Sequence, residues 1–408
     1  MSVIASIKER LSRVSRVVPG LVVLFALAHL AHHLVTALPV PLLPFIRTEF
    51  DLDYTRAALV VSAFSVPYGF SQLPGGWLAD RFGARRLLLI GISGVSLAGL
   101  AVGLSTTYTM LLVALFVMGA LGGGYHPSAP AAIARVTRSS HHGRALGVHM
   151  IGGSASFFLA PLAAAAIAAS WGWRMSFVAL AVPAIGYGVV FFLLLGRRQP
   201  TVSQPRVSTP STSVAPEEPT GRIDWVRMGT FLVLTSVSAA AVLSVVAFIP
   251  LYLVDVHGYP EHSAAVAVAL FYSTGLWAAV AGGYLSDRIG RIRVVVLFGL
   301  VAGPALALID VSGSTVVTMG LLLFLGIGMY ARAPASESYI VGHSPAGKRS
   351  TVLGLYYFGS MEGSGVLAPV IGYLIDHYGF HTSFMLSGLG LLVVAAACAL
   401  ILRGAHGD

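Results

Sequence analysis

Long apolar stretches separated by short polar ones run the length of the chain. A helix of about 20 apolar residues crosses a hydrocarbon core of roughly 30 Å, and about twelve such runs can be counted, six in each half. The pattern predicts an all-α polytopic membrane protein, with twelve transmembrane helices in two pseudo-symmetric six-helix bundles. One polar segment is longer than the rest. From Arg197 to Arg222 the chain is rich in Pro, Ser, Thr and Val and carries Glu217-Glu218, a composition that cannot bury a core. It divides the chain into a first bundle over 1–196, a cytoplasmic linker over 197–224 and a second bundle over 225–408. At the start, Lys8-Glu9-Arg10-Leu11-Ser12-Arg13 leads into an apolar run that reaches Phe45 without a small-residue cleavage site. It reads as a first span with a basic lead, not as a signal peptide.

The two halves are diverged copies of one another at a constant offset. Gly75-Gly76-Trp77-Leu78-Ala79-Asp80-Arg81-Phe82-Gly83-Ala84-Arg85-Arg86 returns 207 residues later as Gly282-Gly283-Tyr284-Leu285-Ser286-Asp287-Arg288-Ile289-Gly290-Arg291-Ile292-Arg293. The register holds from Pro127 to Pro334, from Gly147 to Gly354, and from Trp171-Gly172-Trp173 to Tyr378-Gly379-Phe380. Parallel repeats in a membrane protein place a binding site on the pseudo-two-fold axis between them, where rocking exposes it to either side in turn.

Charge fixes an orientation. Charged residues are only 10% of the chain, against roughly 25% in a soluble domain. With the N-terminus in the cytoplasm, 21 of the 25 Lys and Arg fall on the cytoplasmic side; Arg47, Arg56 and Arg174 lie outside, and Arg332 lies within a span. That is the positive-inside bias. It predicts a multi-pass protein of a plasma membrane, the bacterial inner membrane, with both termini cytoplasmic, and it accounts for the net charge of +9 without any nucleic-acid partner. Cys398 is the one cysteine, so no disulfide or thiolate metal site can form within a chain. No Gly-rich loop ending in Gly-Lys-Ser/Thr is present, which excludes ATP as the energy source, and no hydrolytic triad can be drawn; the chain reads as a monomeric non-enzyme without cofactor.

The stretch Gly76 to Arg86 resembles the loop 2–3 signature of the major facilitator superfamily, and Gly283 to Arg293 sits where that family has its second copy. The resemblance covers essentially the whole chain. It implies a conformational latch made of Gly76, Asp80, Arg81, Gly83 and Arg86, repeated as Gly283, Asp287, Arg288, Gly290 and Arg293. Asp80, at a helix end, would accept hydrogen bonds from a neighbouring helix N-terminus and pair with an arginine. A narrower likeness joins Gly123-Gly124-Tyr125-His126-Pro127-Ser128, Ala134-Arg135, His142-Gly143, Gly152-Gly153 and Ala160-Pro161-Leu162 to fosmidomycin-resistance-type exporters, which read Phe-His-Pro-Glu and Gly-Pro at the first and last points. Ser128 replaces that acid here. Phe116 stands where the superfamily's drug exporters carry an arginine in span four.

Ionisable groups inside the spans are costly and mark function. Glu337 in span ten and Glu362 in span eleven are the acids at depth and the candidates for proton coupling; Arg332 is the cation at depth. The first half instead supplies His29, His32, His33, His126 and His149. The offset matches Arg332 and Ala333 to Tyr125 and His126, each pair directly before an equivalent proline, and the superfamily fold sets spans four and ten across a central cavity. Tyr125, His126 and Arg332 are therefore expected to face one cavity, with Arg332 either a substrate-anion ligand or merely the partner of Glu337 or Glu362. His29, His32 and His33 share one side of span one. They are open to a proton or substrate role, to packing, or to Zn, for which His29 and His33 are suitably spaced but no third ligand is evident; no metal site is assigned. Tyr68, Trp277, Tyr356 and Tyr357 are aromatics that either stack a substrate or fill the core.

These features predict a secondary active transporter of a small organic solute, working by rocker-switch alternating access. The first reading is a proton-coupled exporter, with protons, solute and the lipid bilayer as its partners. The alternative is an importer, proton symporter or uniporter of an organic anion such as a carboxylate, with Arg332 as the clamp. A membrane sensor built on a transporter fold is the third, disfavoured because both latch loops are intact.

Overall fold

The computed structural model describes residues 20–137, 142–197, 223–311, 313–345 and 349–403. The basic lead Lys8 to Arg16 and nearly all of the expected linker lie outside the described residues. Among those residues there are helices and no strands. In chain order they are α1 (Gly20–Thr36), the short α2 (Leu43–Phe50), α3 (Tyr54–Phe82), α4 (Ala84–Leu89) joined through a π-helical turn at Ile90–Gly94 to α5 (Val95–Gly103), α6 (Tyr108–Gly122), α7 (Tyr125–Val136), α8 (His142–Trp171), α9 (Trp173–Arg197), α10 (Trp225–Asp255), α11 (Glu261–Ser273), α12 (Ala278–Ile289), α13 (Arg291–Ala307), α14 (Thr315–Gly342) and α15 (Arg349–Leu402).

The sequence repeat is also a backbone repeat. Asp53 and Pro260 precede α3 and α11, and Thr107 and Ser314 precede α6 and α14, each pair at the same offset. The turns that end α3 and α12 are made by Gly83 (φ 87°) and Gly290 (φ 97°), a left-handed conformation that a side chain would strain. Gly172 (φ 82°) between α8 and α9 is matched by Gly379 (φ 75°), where the 54-residue α15 turns back on itself.

Among the described residues, 7 helices are long and apolar enough to cross a membrane, or 8 if the pair Glu261–Leu276 and Ala278–Ile289, bent by 48°, is one span. The difference from the expected twelve has identifiable causes. The helix α15 holds two sequence runs in one element, α1 and α13 are 17 residues each, and α3 carries polar residues and two prolines. Large apolar side chains on the outside, among them Leu97, Val113, Phe116, Val182, Val280, Val316 and Val393, are exposed as in a lipid-facing surface.

Inside, hydroxyls satisfy themselves locally, as a medium without water requires. Ser62, Ser96, Ser128 and Ser238 each donate to the carbonyl four residues earlier. Ser128, which stands in place of an acid, is thus occupied with Gly124. The helix α3 packs against α15, and α8 against α11, and through these pairs the two halves meet.

Outside the spans, α2 is tied to the start of α9. Glu49 accepts hydrogen bonds from Trp173 Nε1 (2.6 Å) and from Arg174, whose Nε donates to the Ser105 carbonyl at 2.7 Å. Partial burial pushes the Glu49 carboxyl up, but the Arg174 and Trp173 hydrogen bonds with the Arg174 charge outweigh it and hold the group below its ordinary value. A depressed carboxyl contributes stability that is present above the unfolded value of about 4.3 and is lost as pH falls through the folded one. In detergent, Glu49→Gln should therefore melt below wild type at pH 7, with the gap closing as the pH falls below about 4. A gap of constant size across that range would remove Glu49 as its source.

Candidate functional site

The first half gathers its histidines into one cluster. Spacing of three and four places His29, His32 and His33 on one side of α1, and all three are buried. From the other side come Tyr125 and His126, at the first turn of α7 just after Gly122-Gly123-Gly124, and His149 from α8. Ring centroids of His29 lie 4.9 Å from His33, 5.4 Å from His126 and 4.2 Å from His149; His33 and His126 are 5.2 Å apart. Tyr125 stacks on His32 at 4.4 Å. The π-helical turn, a form frequent at functional sites, presents the Gly91 carbonyl to His32. His32 Nδ1 donates to it at 2.6 Å, so its Nε2 is the acceptor for the Tyr68 hydroxyl at 2.9 Å. His29 donates through Nδ1 to the His149 carbonyl and His149 through Nδ1 to the Phe25 carbonyl, both at 3.0 Å. The hydroxyl of Tyr125 is buried with no hydrogen-bond partner.

Arg332 does not join this cluster. It is 1% exposed and sits within the second half, its guanidinium 5.6 Å from the Phe298 ring, its Nη2 3.3 Å from the Met329 sulfur, with Tyr356 as its polar neighbour. No ion pair among the described residues includes it, and its Nε and Nη1 are buried without a partner. The repeat explains the placement. Arg332, Phe298 and Tyr356 are the counterparts of Tyr125, Gly91 and His149, and each set packs together within its own half as a socket.

The two acids differ. Glu337 has Tyr357 as hydrogen-bond partner, within its own half. Glu362 is buried at the junction of the halves and accepts from Gln72 Nε2 on α3 at 3.3 Å. Gly69 makes room for it, since a Cβ there would stand 2.7 Å from Glu362 Cγ. Glu362 is also close enough to act electrostatically on Tyr68, and through Tyr68 the junction touches the histidine cluster.

At the end away from the Asp80 and Asp287 loops, polar bonds close the halves on each other. Arg47 Nη1 donates to Asp255 (2.9 Å), Tyr54 donates its hydroxyl to Asp255 (2.7 Å) and Thr48 donates to Glu261 (2.7 Å). Asp376 accepts the backbone N–H groups of Tyr54 and Thr55 at 2.8 and 2.9 Å, and the Thr55 hydroxyl. A carboxylate of one half thereby caps the N-terminus of a helix of the other, where its charge complements the helix dipole. At the opposite end, Asp80, Arg81, Arg86, Asp287, Arg288 and Arg293 are exposed. Neither Asp80 nor Asp287 takes part in a hydrogen bond or ion pair with a described residue; Arg81 and Arg288 lie over Trp77 and Tyr284 at 5.4 and 4.5 Å. Among the described residues, polar bonds join the halves at one end, and Asp80 and Asp287 make none at the other.

A family model described as Major Facilitator Superfamily matches residues 25–281 and 260–407. The chain belongs to the major facilitator superfamily. It is 25% identical over 380 residues, 88% of each chain, to a probable sulfoacetate transporter of Cupriavidus necator. To the fosmidomycin resistance protein of Escherichia coli it is 24% identical over 360 residues, covering 88% of this chain and 87% of that one. Its fold matches a bacterial homologue of the human lysosomal transporter Spinster, described as inward-facing and occupied, with a TM-score of 0.76 at 20% identity over 94% of this chain and 96% of that one. It is a membrane transporter of this superfamily and not an enzyme.

Sequence reasoning overlooked the closing bonds. Thr48, Tyr54, Asp255, Glu261 and Asp376 are charged or polar residues near span ends, where solvated groups are ordinary. The usable signal was that Asp53-Tyr54-Thr55 opens a span whose first N–H groups need acceptors. Asp376→Asn keeps one acceptor but loses the charge and the second acceptor that Thr55 uses, at about 1 kcal/mol, and should shift the balance toward the state open at this end about fivefold. In a Cys398→Ala background, a cysteine at Ser65, buried on this interface, should react severalfold faster with a polar maleimide when Asp376→Asn is added. An unchanged rate would mean that the cap does not hold the gate.

Proposed function

We propose that this superfamily member is a proton-coupled secondary transporter of a small organic anion, with Arg332 holding the anion's charge and Glu362 carrying the proton. The observation that carries the reading is the state of Arg332. A buried cation whose partner is removed costs about 3–5 kcal/mol, yet this guanidinium has two nitrogens without partners and no carboxylate beside it. A carboxylate or sulfonate on the solute would supply two acceptors in the planar geometry that arginine favours. The likeness to a probable sulfoacetate transporter supports an anionic solute. The exporter reading has its support in the fosmidomycin resistance protein, a relative of similar identity. The empty valence of Arg332 favours the anion.

Glu362 is preferred to Glu337 because its one hydrogen bond crosses between the halves, to Gln72. Rocking breaks or makes that bond, so the acid's surroundings change with the conformation. An anion entering a negative-inside cell also needs a cation with it, and a proton on Glu362 meets that need. His29, His32, His33, Tyr125, His126, His149 and Tyr356 surround the path as polar lining, and the Asp80 and Asp287 loops form the alternate latch when the other end opens.

Thermal-shift titration with sulfoacetate, glucuronate and pyruvate, each against its neutral amide or alcohol analogue, tests the anion site. At least one anion should stabilise the wild type. Arg332→Lys should weaken that anion about tenfold or more, and Arg332→Ala should nearly abolish its effect. The double variants Arg332→Ala with Glu337→Gln, or with Glu362→Gln, should not recover binding; recovery in either would make Arg332 the partner of a buried acid and refute the clamp.

In vesicles, Glu362→Gln should lose accumulation driven by a pH gradient and keep solute exchange, which moves no net proton. Glu337→Gln should still concentrate solute. The reverse pattern would assign the proton to Glu337.

A further inference from the structure

With the anion on Arg332 and the proton on Glu362, the histidine cluster of the first half is left with no more than a lining role. Its hydrogen bonds divide the five rings into two kinds. His32 has both nitrogens engaged, with Gly91 and Tyr68. His149 gives its Nδ1 hydrogen to Phe25, and its ring lies flat on His29, at 15° between planes, so it stacks and does not converge. The other three are differently placed. His29 gives its Nδ1 hydrogen to a carbonyl, which can only accept, so its Nε2 bears a free lone pair. His33 pairs through Nδ1 with the Thr36 hydroxyl at 3.0 Å and leaves Nε2 unengaged. His126, partly exposed, makes no hydrogen bond with a described residue.

One ring nitrogen from each of His29, His33 and His126 lies within 4.8 Å of the others. The three ring centroids form a nearly equilateral triangle with sides of 4.9, 5.2 and 5.4 Å. We propose that His29, His33 and His126 bind a late first-row transition-metal ion of the Zn2+ type, leaving a fourth position toward the space between the halves. Zinc takes histidine nitrogens at about 2.0–2.1 Å, so ligands in a tetrahedron stand about 3.3 Å apart, and small rotations of the three rings, of about an ångström, reach that geometry. The third ligand invisible in the sequence is His126, brought by α7 to a pair one helical turn apart on α1.

The donor set selects the ion. Three imidazoles with no carboxylate among them suit Zn2+, Co2+, Ni2+ or Cu2+ and not Mg2+ or Ca2+, which require oxygen. A ligating histidine ordinarily donates its other ring N–H to a carbonyl or carboxylate, fixing its tautomer, and His29 already does so with the His149 carbonyl. The site also has space made for it. A Cβ on Gly153 would stand 2.7 Å from His29 Nε2, so any side chain there displaces the ring from the triangle. Three protein ligands with an open fourth place make a site whose ion can exchange. The site uses none of the residues assigned to anion or proton, so either reading can fail while the other stands.

The test is Zn2+ titration by calorimetry on the purified full chain carrying a tag without histidine, with Co2+ absorption as a second readout. Wild type should take up one Zn2+ per chain, and Co2+ should show the intense visible bands of a tetrahedral site. His33→Ala, His126→Ala and Gly153→Ala should each weaken Zn2+ by about tenfold to a hundredfold and lose the Co2+ bands. The double variant His257→Ala with His262→Ala, at the closed end, should change neither. X-ray absorption of the wild-type Zn2+ complex should show three imidazoles in the first shell, a readout that needs no variant to fold. Absence of Zn2+ uptake, uptake that survives both His126→Ala and Gly153→Ala, loss in the His257/His262 control, or a first shell with fewer than three imidazoles would each overturn the site.

Discussion

Everything in this structure answers to one constraint. A polar group inside an apolar medium must find its partner within the protein, because no water is at hand to supply one. Most groups comply by short-range means. Serines bond back to their own helix, His32 uses both nitrogens, and His29 and His149 give their Nδ1 hydrogens to carbonyls on neighbouring helices. The exceptions are few, so each carries information: Arg332 Nε and Nη1 and the Tyr125 hydroxyl are buried without partners. These exceptions occupy equivalent positions of the two repeats, 125 and 332. Duplication made two sockets of one shape, and neither is fully satisfied by its own half.

The same constraint governs how the halves part. Cross-half contact at depth is made largely by small or apolar surfaces, as where Ser62 reaches the Gly365 carbonyl or Phe70 meets Phe358 at 5.1 Å. Such surfaces separate without leaving charges stranded. Charged pairing is confined to the aqueous end, in Arg47–Asp255, Thr48–Glu261 and the Asp376 cap. Exposed pairs of this kind are worth roughly 0.2–1 kcal/mol each. Several together hold the end shut, and none is so strong that it cannot open. Gln72–Glu362, like Ser62–Gly365, is a polar bond across the junction at depth, and as the one of the two that holds an ionisable group it cannot survive a large rocking motion unchanged.

How much of this could be read in the chain follows from range. The repeat, the span pattern and the two loops ending in Gly83 and Gly290 depend on local sequence, and they are legible in it; the positive φ that both glycines share is a further mark of the repeat. The ionisable residues at depth were legible as a set, because any charge in an apolar run stands out. Their partners were not. Pairing Arg332 with an acid was reasonable from composition, but the guanidinium turns toward Phe298 and Tyr356, a direction set by helix rotation that no spacing rule gives. His126 completes a triangle with His29 and His33 only because the glycine break before α7 aims its first turn at α1. The closing bonds hid for the opposite reason: Asp255 and Asp376 look like ordinary solvated ends, and their role depends on which helix of the other half arrives beside them.

The pseudo-equivalent sockets diverged in charge, and that divergence has a mechanical consequence. In the first half Tyr125 rests against Gly91 among histidine rings, and the Gly91 carbonyl beside it is already bonded to His32. In the second half the glycine has become Phe298, the tyrosine has become Arg332 and His149 has become Tyr356, so the socket holds a cation over an aromatic face with one phenol for company. In the proposed function a solute with a negative charge is drawn to this half, while the junction acid Glu362 senses the distance between the halves. That proposal places solute binding and proton exchange at separate points of one helix, α15, which carries both Tyr356 and Glu362 six residues apart before its turn at Gly379. Under that proposal, movement of this stretch against α3 would change the surroundings of both groups at once, which is what coupling between solute and proton requires.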